Sequence, residues 1–198
     1  MVSVSEPRSP EMQRLWDKLR QLVTYDPNLT VFGSASHRYR VYPCLTETEV
    51  TEFEQKYQVT LPEGYRKFLL EIANGGAGPN YGLQRLDASV HKGTGNLLFC
   101  PWPHRGVWNL KHSQFATAAE YDAIYFADEQ VQGSLFLSDM GCGHEVLLVV
   151  SGEERGTMWE DYRCSDGGIV PVQFGTDPAE RVSFSGWYEA WLDKSLAT

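Results

Sequence analysis

The stretch TETEVTEFEQKYQVTLPEGYRKFLLEIANGG, residues 46–76, decides how this chain is read. Thr46 followed three positions on by Glu49 has the form of a capping box. The hydroxyl and the carboxylate each satisfy a backbone N–H left open at a helix start. Val50, Phe53 and Tyr57 then fall along one face of the helix that follows. Leu61-Pro62 breaks it, and Pro62 suits the first turn of a second helix, where its missing N–H would have had no partner. Tyr65, Phe68, Leu69 and Ile72 give that second helix a buried stripe. Asn74-Gly75-Gly76 ends it with residues that tolerate the left-handed conformation.

Toward the N-terminus, Met12, Leu15, Trp16, Leu19, Leu22 and Val23 recur at helical spacing, so 10–24 reads as an amphipathic helix stopped by Asp26-Pro27-Asn28. Residues 29–45 read as a loop or one short strand. Toward the C-terminus, 77–108 is rich in Gly, Pro and aromatic residues, with short strands such as 82–86 between loops. From Gly133 the period changes to two. The runs 134–137, 145–150, 157–162 and 169–174 are separated by glycine-bearing turns, which is the pattern of an antiparallel meander. Phe184, Trp187, Tyr188, Trp191 and Leu192 close the chain as a helix whose aromatic face must find cover on the sheet or on the earlier helices. The expected fold is α+β, with N-terminal helices packed on a mostly antiparallel β-sheet and an aromatic-faced C-terminal helix. At roughly 150 residues per domain, 198 residues fit one domain, 1–198, with an N-terminal helix and loop over 1–45 and a core over 46–196.

With 42% apolar and 22% charged residues the chain can bury a large core, which disfavours a disordered tail or an acidic solvating segment. The longest apolar runs, 123–127 and 146–150, are far short of the about 20 residues a membrane-spanning helix needs. Residues 1–10 carry two prolines and a glutamate without an apolar stretch, so no secretory signal is expected there and the expected location is cytoplasmic. Four cysteines, Cys44, Cys100, Cys142 and Cys164, lie far apart with no CxxC spacing and are expected to be reduced and mostly buried.

The net charge of -9 is unevenly placed. Between Glu120 and Glu180 there are thirteen acids and two bases, Arg155 and Arg163, while the rest of the chain is slightly basic. A field of that sign repels phosphate backbones and steers basic proteins, which disfavours direct nucleic-acid binding. A solubilising role for the same residues is the plainer reading.

No phosphate-cradling glycine motif occurs. Cys142 and His144, two apart, share a face if they lie on a strand and so are candidates for a thiol–imidazole pair or a metal site, but the flanking glycines favour a turn. Glu153-Glu154 and Glu160-Asp161 are adjacent acids. Strand neighbours face opposite ways, so neither pair flanks one bond as an acid and base must. Trp102, Trp108 and Trp159 are either core residues or the large, polar-tipped anchors that interfaces favour.

Val50-Thr-Glu-Phe53-Glu54, Leu61-Pro62-Glu63-Gly64-Tyr65-Arg66-Lys67-Phe68-Leu69 and Asn74-Gly75-Gly76 together resemble the FE…LPxxYxxFL…NGG signature of the SUKH superfamily, in its Smi/Knr-like branch. Gly133 to Leu137, Gly141-Cys142-Gly143, Leu147 to Val150, Met158-Trp159, Phe184, Trp187 and Trp191-Leu192 are similar to that family's sheet and closing helix, while 77–132 and the first helix match loosely. The resemblance implies an α+β fold with no catalytic residues, and from the residues themselves no metal or cofactor is expected. Relatives serve as a cell-wall synthesis regulator in fungi and largely as immunity proteins against polymorphic toxins in bacteria.

The function expected is therefore a protein-binding module that occludes the active site of a basic toxin domain, of nuclease type. Asp139, Glu145, Glu153, Glu154, Glu160, Asp161 and Asp166 are its candidate contacts and Trp102, Trp108 and Trp159 its candidate anchors. The alternative is a regulatory scaffold binding an endogenous protein or peptide. A third reading is an enzyme using Cys142 or His144.

Overall fold

The reciprocal cap forms as expected. Glu49 N–H donates to Thr46 Oγ1 at 3.2 Å and Thr46 N–H donates to Glu49 Oε2 at 2.7 Å. The computed structural model describes residues 7–91, 93–177 and 179–197, so most of the opening stretch read for a targeting signal lies outside the described residues. Among the described residues there are six α-helices: α1 (Pro10–Tyr25), α2 (Ser34–His37), α3 (Glu47–Tyr57), α4 (Glu63–Glu71), α5 (Ala118–Tyr125) and α6 (Phe184–Leu196). The meander is β1 (Ser134–Gly141), β2 (His144–Val149), β3 (Met158–Asp161) and β4 (Ile169–Pro171), in that spatial order and antiparallel throughout. The fold is α+β. No helix among the described residues is long and apolar enough to cross a membrane.

Three segments differ from the sequence reading. Residues 29–45 hold the short helix α2 and a single bridge from Val41 to Gly76. The chain enters α2 through Gly33, at φ +77, where a side-chain Cβ would lie 1.6 Å from the Asn80 carbonyl oxygen. Only glycine permits that approach. Residues 82–86 form isolated bridges from Leu83 to Gly76 and Ser138, with no strand, because left-handed Asn80 and Gly82 interrupt the extended backbone. The third difference is α5, which no apolar stripe in the sequence announces. Its own capping box, Thr117 with Glu120, starts it.

Strand alternation sends two apolar sets to opposite faces of the sheet. Leu135, Leu137, Val146, Leu148 and Met158 face the helices and join one cluster with Leu15, Leu19, Phe68, Phe184 and Tyr188. Here α6 finds its cover, against α1 and α4. The Phe184 ring lies 4.9 Å from Tyr65 and 5.1 Å from Phe68, centroid to centroid. Along the rim, Glu189 receives Arg14 at 2.7 Å and Lys18 at 2.9 Å. Leu147, Val149, Trp159 and Ile169 point the other way, into a second cluster closed by Trp102 and Val131. The segment running from there through Trp108 and α5 roofs that face. Trp108 exchanges two backbone hydrogen bonds of 2.8 Å with Ile169 at the edge of β4.

The cysteines do not follow expectation. All four are free thiols, but Cys44, Cys142 and Cys164 are exposed and Cys100 is half-buried. Cys142 sits at the tip of the β1–β2 hairpin, where it and Gly143 both have positive φ, the backbone of a tight two-residue turn. Such a tip has no interior to enter.

Phe184 is buried in the main cluster, its ring against Tyr65, Phe68 and Tyr188. Phe184→Ala is expected to cost about 3–5 kcal/mol in urea unfolding. A loss under 1 kcal/mol would contradict the packing described.

Candidate partner-binding surface

The antiparallel register sets three of the seven expected acids in one row. Asp139 on β1 pairs with Glu145 on β2, and Glu145 pairs with Asp161 on β3, so their side chains share one face at one end of the sheet. Asp166 belongs to the same end, in the turn between β3 and β4. The two turns at this end are tied together. His144 Nε2 and Ser165 Oγ are 2.8 Å apart, and Cys164 Sγ donates to the Cys142 carbonyl at 3.1 Å. Cys142 contributes its carbonyl to this tie, and the His144 imidazole is engaged by Ser165.

Like charges directly across a sheet repel, and each acid of the row answers this differently. Asp161 is 5% exposed and grips Arg163 through Oδ1 and Oδ2 at 2.7–3.0 Å. That guanidinium also donates to the Tyr125 carbonyl at 2.9 Å, fastening α5 to the sheet. Asp161 is thus a buried tie and cannot reach a partner, a correction to its place among the expected contacts. Asp139 is exposed, and its Oδ1 accepts the Gly141 N–H at 2.6 Å. Glu145 is half-buried, with His91 Nε2 3.3 Å from its Oε2. Burial pushes its carboxyl up to about 7, the neighbouring Asp161 and Asp139 add to the rise, and Arg163 opposes it. Burial also pushes the facing His91 below the ordinary histidine value, so His91 offers Glu145 little charge at neutral pH.

The remaining acids lie elsewhere. Glu153 and Glu154 occupy the β2–β3 turn at the far end of the sheet, about 15–20 Å away by strand rise. There Glu153 pairs with Arg105 and Glu154 with Arg181, each at 2.7 Å. Glu160 points to the opposite face, in register with Val146 and Val170, and accepts the Tyr162 hydroxyl at 2.9 Å. The seven acids do not form one wall.

The expected tryptophan anchors are internal. Trp159 is 0% and Trp102 6% exposed, both in the smaller core cluster, and the half-buried Trp108 stacks on Tyr125 with centroids 5.3 Å apart. Burial on both faces of the sheet puts Trp102 and Trp159 out of a partner's reach, which corrects that expectation. The exposed rings are others. Tyr25, Phe32 and Phe174 line a groove of about 720 Å³ with Trp187 and Trp191, between the end of α1 and the face of α6. Phe32 is 61% exposed, and its ring lies 5.3 Å from that of Tyr81. Tyr81 in turn lies against Gly141, its ring 3.1 Å from where a Cβ would be, and its N–H donates to the Asp139 carbonyl at 3.2 Å. The aromatic rim and the acidic sheet end are continuous. The sequence signal for it was Pro79-Asn80-Tyr81-Gly82, an aromatic residue held up by turn formers.

A helical layer on a four-stranded antiparallel meander, with the second sheet face roofed by an irregular segment, defines an α+β protein with no wet sheet face. The chain belongs to the SMI1 / KNR4 family (SUKH-1), whose model matches residues 44–180. The match takes in α3, α4, the roofing segment and the whole sheet, and stops short of α6. Membership implies interaction with other proteins. No curated protein and no solved structure matches the chain.

Glu145 sets a pH dependence. In the unfolded chain its carboxyl titrates near 4.5, and in the folded chain near 7. Its favourable contribution is complete below pH 4.5 and is lost as pH rises through 7. Glu145→Gln is therefore expected to stabilise the protein at pH 8 by roughly 1–3 kcal/mol and to change little at pH 4, measured by denaturant unfolding at both pH values. Equal effects at the two pH values would contradict this account of the site.

Proposed function

We propose that this protein is a non-enzymatic, cytoplasmic immunity protein that binds a cognate toxin domain and covers its active site, acting as one domain. Family membership supports the protein-binding part of this reading. The observation that carries the rest is the continuous surface formed by Asp139, Glu145 and Asp166 at one end of the sheet and the exposed Tyr81 and Phe32 beside it. Carboxylates held close together with few cations of their own favour a partner that brings Lys or Arg. A nuclease has such residues where it grips phosphates. Glu145 is the sharpest case, since a partner's cation would compensate a half-buried carboxylate that Arg163 alone among the described residues now favours. The exposed rings supply apolar area that charge pairs alone lack.

A second reading has a specific observation in its favour. The groove between Tyr25, Phe32 and Trp191 is the shape an apolar side chain of an endogenous peptide would enter, as in a regulatory scaffold of the Smi/Knr type. The two readings share a surface and differ in who occupies it.

Titration calorimetry with the toxin domain encoded beside the gene tests the first reading. Tight binding at low salt is expected, weakening as salt rises. The double variant Asp139→Lys/Glu145→Lys is expected to weaken it by about 100-fold, and Glu153→Lys, at the far end of the sheet, by less than about threefold. No binding at low salt would defeat the toxin reading, and equal losses at both ends would defeat the surface.

A further inference from the structure

The first turns of α4 and α6 meet at a cavity of about 460 Å³ on the helical side of the molecule. The first N–H groups of a helix have no intrahelical acceptor, and each N-terminus carries the positive end of the helix dipole, about half a unit charge. In α6 the N–H of Gly186 is taken by Ser183 Oγ at 3.2 Å and that of Trp187 by the Ser183 carbonyl at 2.9 Å. Those of Phe184 and Ser185 precede them and border the cavity. In α4 the first N–H with a backbone acceptor is that of Arg66, to Pro62, leaving Glu63 and Gly64 on the cavity wall.

Three further observations point to a ligand. Ser185 is 7% exposed, lines the cavity, and its hydroxyl has no hydrogen-bond partner among the described residues. Gly64 faces that hydroxyl, and a Cβ there would lie 2.6 Å from Ser185 Oγ. Gly64 is the second residue of α4, and its lack of a side chain gives the Ser185 hydroxyl its room on the cavity wall. The third is Arg155, which reaches this wall from the β2–β3 turn. Its guanidinium donates to the Thr60 and Leu61 carbonyls, each at 2.9 Å, and meets no carboxylate among the described residues. Of the other charges on the wall, the Glu11 carboxylate has no ion pair among the described residues, and the rest are engaged. Lys67 holds Glu63 at 2.5 Å and also feels Glu11, and Arg181 holds Glu154 at 2.7 Å. Two helix ends plus Arg155 outweigh the one unpaired carboxylate, Glu11, and leave the cavity a small positive balance.

We propose that this cavity is an oxyanion site that takes a phosphate group, free or as a monoester, with Ser185 Oγ, the first N–H groups of α4 and α6, and Arg155 as its donors. It lies at the other end of the helical layer from the aromatic groove and is independent of the partner surface. Helix N-termini are suited to tetrahedral anions because their N–H groups converge without needing to be charged.

The test is titration of the full chain with inorganic phosphate and, separately, O-phosphoserine, followed by amide chemical shifts and by thermal unfolding, with sodium chloride at matched ionic strength as control. Saturable shifts at Gly64, Phe184 and Ser185 and a rise in melting temperature beyond the chloride control are expected. Saturation by O-phosphoserine alone would assign the site to a phosphate monoester, and saturation by both would assign it to the phosphate group itself. Ser185→Ala should weaken binding by about tenfold, the worth of one hydrogen bond to an anion, and Arg155→Gln by at least as much. Gly64→Ala, which fills the space while helix propensity improves, should abolish it in a folded protein. Absence of saturable binding by either ligand, or unchanged affinity in folded Ser185→Ala and Gly64→Ala, would overturn the proposal.

Discussion

Leu147, Trp159 and Ile169 on one side and Val146, Leu148 and Met158 on the other leave this four-stranded sheet dry on both faces. An antiparallel sheet of this size usually keeps one face in water, where charged residues stand along every strand. Here the helices cover one face and the segment leading to α5 covers the other. A polar side chain can then reach solvent only from strand ends and turns, or must be paired where it is buried. Asp161 follows the second course through Arg163, and Asp139 and Asp166 follow the first. Glu145 falls between the two, half-buried beside an imidazole that burial keeps uncharged. The uneven charge of the chain thus becomes two separate acidic ends, of which the β2–β3 end is already balanced by Arg105 and Arg181.

Much of the architecture was legible because its signals are local. The Thr46 and Glu49 box, the stripe from Tyr65 to Ile72 and the glycines between short β-prone runs each concern neighbours within a few positions, and each element stands where they put it. Alternation also separated Glu160 from Asp161 correctly, onto opposite faces of β3. The same capping signal at Thr117 and Glu120 went unread because Ala118–Tyr125 is short and has apolar residues on several sides, so no stripe follows it. Without α5 and the segment before it, nothing in the sequence covers the outer face of the sheet. Trp102 and Trp159 then look as fit for a surface as for a core.

The proposed partner surface was legible only in part for a related reason. Cross-strand register decides which acids meet, and register is a long-range property: Asp139 and Asp161 are brought into one row by pairing through β2. The aromatic share of the surface comes from turns that approach one another from distant parts of the chain, Phe32 beside Tyr81 and Tyr81 over Gly141. Exposed rings at such places cost the free protein solvation and contribute nothing to its core, as a half-buried carboxylate like Glu145 also does. Groups that are unfavourable alone and favourable in company are what a recognition surface is made of.

Hydrogen exchange of this chain, alone and saturated with the proposed toxin partner, the toxin domain encoded beside the gene, addresses the central claim most directly. Slowed exchange is expected over 79–82 and 139–145, flanking the acidic row and its aromatic border, with 150–156 at the opposite turn unchanged. Protection confined to 150–156, or none at either end in a complex that forms, would contradict the account.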